Sequence, residues 1–153
     1  SLGTLLSGPW SKKTVLLFGK KLSLDALEHK IIRKNYDEPR IHFALVCAAL
    51  GCPSLRNEAY TATRLEEQLE TQTRAFLNVA TKNRIDGEKK CLWLSPIFKW
   101  YGDDFEKASP SVMDFVRPYM LSDSLPEGWE DYRISFTEYD WSLNDNVVAE
   151  ARE

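Results

Sequence analysis

One apolar run constrains this chain more than any other: Ile41-His42-Phe43-Ala44-Leu45-Val46-Cys47-Ala48-Ala49-Leu50, preceded by Pro39 and followed by Gly51-Cys52-Pro53. A run this apolar must be buried, because leaving it in water forfeits the main driving force for folding. It also holds one of the two histidines and, with Cys52, two of the three cysteines. Asp37 and Pro39 read as a helix start, since proline is tolerated in a first turn. Gly51 reads as the residue that ends the helix, and Pro53 blocks its continuation. These signals predict a helix over about residues 39–50. A buried strand through 41–47 fits the same apolar density.

Elsewhere the pattern is mixed. Val15-Leu16-Leu17-Phe18 and Lys21-Leu22-Ser23 flank Gly19-Lys20 and read as a hairpin with a type II′ turn. Ser23 reads as the N-cap of a helix to about Lys34, with Leu24, Leu27 and Ile31 in one stripe. A longer helix is expected from Thr61 to about Ala80, its apolar stripe being Ala62, Leu65, Leu69, Phe76 and Ala80. Arg84–Asp86 and Lys90–Leu94 flank Gly87 as a second hairpin. Ser95-Pro96 and Ser109-Pro110 each pair a capping serine with a proline at the first helical position. They open short helices over 97–101 and 111–119. Asp103-Asp104 reads as an acidic turn, and Arg133 to Tyr139 as a late strand.

The expectation is therefore α+β: a single mixed domain over 1–143, helix-rich, with two short β-hairpins and a late strand. Residues 144–153 read as a polar C-terminal tail. Eighteen aromatic residues in 153 argue for a packed core rather than disorder. No run of about eighteen apolar residues exists, so no transmembrane segment is expected.

A net charge of -3 gives no reason to expect a nucleic acid partner. The charge is uneven: residues 1–40 carry +4 and residues 101–153 carry -9. Either the two ends attract each other in the fold, or the acidic end forms a surface for a partner. Three cysteines are too few for a disulfide framework. Ser1 is not a natural start, so the chain reads as a piece of something longer and its compartment is left open.

The candidates for chemistry are Cys47, His42, His29, Cys52 and Asp25. A nucleophilic cysteine needs a base within hydrogen-bond reach and a third group to orient it. Cys47 and His42 are five residues apart, which points them about 140° from each other on a helix and to opposite faces of a strand. Cys52 sits past a helix end, where the dipole disfavours a thiolate. His29 follows Asp25 by four residues, a spacing that lets a carboxylate orient an imidazole. Zinc would need His42, Cys47 and Cys52 plus His29 or Cys91, at spacings unlike any short zinc knuckle. No metal and no cofactor site is expected, and no phosphate-binding glycine loop or hydrolase elbow occurs.

Several segments together match a known pattern. They are Pro9-Trp10 with Phe18-Gly19, Leu22–Asp25 with Glu28-His29, and Arg40–Cys47 with Cys52-Pro53. Further on come Tyr60, Phe76–Asn78, Leu94–Tyr101 with Asp104-Phe105, and Tyr139–Leu143. On these the chain resembles the domain of unknown function 547 family, along nearly its whole length. The resemblance raises His29, His42, Cys47 and Cys52 above the other polar residues. It implies no activity. It also implies an earlier Asn- and Tyr-containing helical segment that would pack on this chain.

Two functions stay open. The first is a binding or scaffold module, with a buried His/Cys cluster and a protein or small-molecule partner. The second is a cysteine-dependent hydrolase or acyl-transfer enzyme. It would use Cys47 or Cys52 as nucleophile, His42 or His29 as base, and Asp25 or Asp140 to orient it.

Overall fold

The computed structural model describes residues 8–120 and 125–145. Strands β1 (Lys13–Leu17) and β2 (Lys20–Ser23) form the expected hairpin, with Leu17 opposite Lys20. Its turn lies one residue earlier than Gly19-Lys20. Phe18 and Gly19 are the central residues, with φ of 47° and 76°. Two positive angles make this a type I′ turn rather than type II′, the other form that matches strand twist.

Ser23 caps the next helix through its hydroxyl, which accepts from the Ala26 N–H at 3.0 Å. Helix α1 covers residues 24–35, and Leu27–Ile32 within it are wound as a π-helix. This wider turn places Glu28, His29 and Arg33 side by side.

The apolar run departs from expectation. Only Ile41–Ala44 is helical (α2), and from Leu45 the backbone is extended. Ala48 takes a left-handed φ of 62°. Several of the backbone groups that follow bond to a distant segment instead of to a helix. Leu50 donates to the Ser142 carbonyl, Gly51 to that of Asp140, and Ala49 bridges to Leu143. Gly51 therefore does not end a helix. A Cβ there would lie 3.0 Å from the Asp140 backbone, and close approach is what requires glycine.

Helix α3 (Leu65–Leu77) is shorter than the expected 61–80. Thr61 donates its N–H to the Gln68 side chain rather than joining the helix. The buried face is rotated from the expected stripe: Leu65 is exposed, while Gln68, Leu69, Gln72 and Thr73 are buried beside Phe76 and Leu77. The two buried glutamines are satisfied by the backbone of Ser54 and Ala59.

Strands β3 (Arg84–Asp86) and β4 (Cys91–Leu94) pair antiparallel, as the Gly87 turn predicts. Strand β5 (Arg133–Phe136) joins β4 in parallel and completes a sheet of order β3-β4-β5. Between β4 and β5 run three helices: α4 (Ile97–Trp100), α5 (Gly102–Ala108) and α6 (Val112–Val116). Ser111, not Ser109, caps α6, accepting from the Asp114 N–H at 3.1 Å. Asp103 and Asp104, expected in a turn, open α5, where carboxylates favour the positive end of the helix.

The architecture is α+β, with its core between the β3-β4-β5 sheet and the helices. Phe43 is fully buried at the centre, against Phe76, Phe98, Phe105 and Phe115. Among the described residues no helix is long and apolar enough to cross a membrane. The polar 144–153 tail lies mostly outside the described residues.

Candidate functional site

Helix α1, the 45–53 loop, helix α4 and the 139–141 segment enclose a cleft of about 690 Å³. Leu45, Val46, Pro53 and Ile97 give it apolar walls, and Trp10, Trp100 and Trp141 give it aromatic ones. Trp100, Tyr139 and Trp141 pack on one another, with centroids 4.5–5.6 Å apart. All five candidate residues from the sequence line this cleft: Asp25, His29, His42, Cys47 and Cys52.

They do not form one cluster. His42 is buried, stacked on Tyr101 at 3.8 Å and tilted against Phe105. Its Nε2 meets Asp104 Oδ2 at 2.9 Å. The same oxygen accepts from Arg33 Nε at 2.6 Å. Burial pulls the imidazole down to a pKa of about 4, against the upward pull of Asp104. Burial alone would raise the Asp104 carboxyl, but Arg33 and His42 outweigh it and hold it at about 2. The charge pair is thus Arg33–Asp104, and His42 beside it is neutral. Its Nε2 donates to the carboxylate, which leaves Nδ1 as a lone-pair acceptor.

His29 lies at the mouth of the cleft, with its side chain 40% exposed. Asp25 does not orient it by a hydrogen bond, because Nε2 is 3.7 Å from Asp25 Oδ1. Arg33 does, with NH1 2.8 Å from His29 Nδ1. A guanidinium only donates, so Nδ1 accepts and the ring proton sits on Nε2, facing Asp25 and Glu28.

The cysteines pair with each other. Cys47 Sγ and Cys52 Sγ are 2.7 Å apart, and the Cys47 N–H is bonded to Cys52 Sγ at 2.8 Å. Tyr139 Oη is 3.6 Å from Cys47 Sγ. Burial, followed by the neighbouring Cys47 thiol, pushes the Cys52 thiol up to about 11. No cysteine is hydrogen-bonded to a histidine among the described residues, so the expected His/Cys cluster is not what the fold builds. Asp140 binds its own turn through Ser142 N–H rather than an imidazole. Cys91 is fully buried in β4. Nor do three His, Cys, Asp or Glu side chains converge as a metal site among the described residues.

A family model described as "Protein of unknown function, DUF547" matches residues 4–77. This stretch is similar to the DUF547 family. The DUF547 match stops at Leu77, whereas the resemblance in the sequence extends to Leu143. Comparison with curated proteins and with solved structures finds no match. The DUF547 stretch supplies Asp25, His29, Arg33, His42, Cys47 and Cys52. Their partners Tyr101, Asp104 and Tyr139 come from the chain beyond it. Sequence reasoning missed Asp104 and Arg33. The available signal was the Asp103-Asp104 pair just after Tyr101, acidic residues of the kind that favour a helix's first turn.

Proposed function

We propose that this domain is a binding module whose ligand is a small, largely apolar molecule held in the cleft. The observation that carries this reading is the cleft itself. Its volume falls in the range of about 300–1,000 Å³ usual for small-molecule sites. Apolar and aromatic walls would supply affinity by burial. Glu28, His29 and Tyr101, at one side, would fix orientation through hydrogen bonds.

The rival reading is a cysteine-dependent hydrolase or acyl-transfer enzyme. It draws on His42, already held by Asp104, lining the same cleft as Cys47. It requires the Cys47 thiol to leave Cys52 and reach the imidazole.

The test uses phenylnaphthylamine, a neutral fluorophore, titrated into the folded protein and into a Val46→Trp variant that fills the cleft. Saturable binding with quenching of tryptophan emission, lost in the variant, is the expected result. Equal binding by both proteins, or none by either, overturns the reading. Alkylation of Cys47 by iodoacetamide separates the rival. A rate that falls when His42 is replaced by Gln favours the enzyme.

A further inference from the structure

We propose that Cys47 and Cys52 are a dithiol–disulfide pair, oxidised by thiol–disulfide exchange with a small-molecule disulfide that enters through the cleft. The proposal does not depend on the binding reading.

Three observations carry it. First, the two sulfurs are 2.7 Å apart, well inside ordinary non-bonded contact and a short movement from the roughly 2.05 Å of a disulfide bond. Second, the loop between them is already fixed by long-range bonds. Leu50 and Gly51 donate to the carbonyls of Ser142 and Asp140, and Ala48 O accepts from the Asn144 N–H. Little further ordering is needed to join the thiols. Third, access is asymmetric. Both sulfur residues line the cleft, Cys47 half-buried and Cys52 buried, whereas Cys91 is sealed in the sheet. The Lys82 side chain donates to the Cys52 carbonyl and so helps to hold that end of the loop in place.

The chemistry balances as an exchange. Cys47 loses its proton and attacks one sulfur of the external disulfide, breaking its S–S bond. The released thiolate takes up a proton and leaves as a thiol. Cys52 then loses its proton and attacks the Cys47 sulfur of the mixed disulfide. A second external thiol leaves, and the internal bond is formed. The protein dithiol is oxidised by two electrons, and the external disulfide is reduced to two thiols. Because Cys52 is already in contact, the second step outruns loss of the mixed disulfide. In the product, the Cys47 sulfur has no thiol proton to share with Tyr139.

The experiment equilibrates the folded wild-type chain in glutathione buffers, from fully reduced to glutathione disulfide alone. Samples are quenched with iodoacetamide and mapped by peptide mass spectrometry. The expected result is loss of alkylation at Cys47 and Cys52 together, an internal bridge between them, and no glutathione retained. In Cys52→Ser the mixed disulfide accumulates on Cys47. Wild-type protein that keeps both thiols alkylatable in glutathione disulfide overturns the proposal. So does wild-type protein that retains glutathione on Cys47 without forming the bridge, or that bridges through Cys91. The wild-type result decides the matter even where the variant fails to fold.

Discussion

His42 and Asp104 stand 62 residues apart in the chain, yet Nε2 and Oδ2 meet at 2.9 Å beneath the cleft. Arg33 reaches the same carboxylate oxygen from helix α1. Three elements that share no local sequence are thereby tied at one buried point. Replacing Asp104 with Asn keeps the shape and removes the charge. It leaves Arg33 without its counter-ion and His42 with a weaker acceptor. A loss of about 2–3 kcal/mol in unfolding free energy is expected, measured by urea denaturation at neutral pH. A variant within about 0.5 kcal/mol of wild type would show that the network does not hold the fold.

The same pair sets a pH dependence. His42 in the fold has a pKa near 4, below the ordinary 6.5. Between those values the unfolded chain binds a proton and the folded chain does not. Stability from His42 is therefore full above about pH 6.5 and falls as pH drops toward 4, by about 3 kcal/mol in all. Asp104, depressed to about 2, adds a further loss from about pH 4 downward. In a His42→Phe variant, which keeps the stack on Tyr101, the urea midpoint should be flatter between pH 6.5 and 4. An identical slope in both proteins would assign the acid sensitivity elsewhere.

Gly51 predicts a steric effect without any charge. A Cβ there meets the Asp140 N and O and the Tyr139 ring at 3.0 Å, and two of those three atoms are backbone. Gly51→Ala should destabilise by about 1–3 kcal/mol. It should also increase amide exchange at Leu50 and Gly51, whose N–H groups bond to Ser142 and Asp140. Unchanged exchange at those two amides would mean that the added methyl is accommodated without parting the two segments.

Ala48 predicts the opposite sign. It is exposed and holds a φ of 62°, a conformation costly for any residue with a Cβ. Ala48→Gly should raise stability by about 0.5–1 kcal/mol, the relief of strain exceeding the entropy glycine adds to the unfolded chain. A lower melting temperature than wild type would contradict this.

Local signals found most of the elements. The Ser23 cap and the Gly87 turn each act within a few residues and appear where expected, and the late strand forms at Arg133–Phe136, shorter than the expected 133–139. The charge asymmetry also has a counterpart, since Arg33 from the basic first third pairs with Asp104 from the acidic last third. What local reasoning got wrong was the 45–52 segment. Its helix signals compete with hydrogen bonds to residues 140–144, about ninety positions away, and nothing within the segment announces that partner.

The candidate site divides in the same way. Rarity and clustering in the sequence were enough to single out His29, His42, Cys47 and Cys52, and all four line one cleft. Their partners were decided by tertiary structure alone. Cys47 turns to Cys52 and not to His42, because the backbone leaves the helix at Leu45 and folds back with a left-handed residue at Ala48. His42 turns to Asp104, because helix α5 packs over α2 and carries a carboxylate that Arg33 already neutralises. Composition and periodicity fix which residues must be buried and which can do chemistry. Which of them touch is set by the packing of segments far apart in the chain, and that is a property of the whole fold.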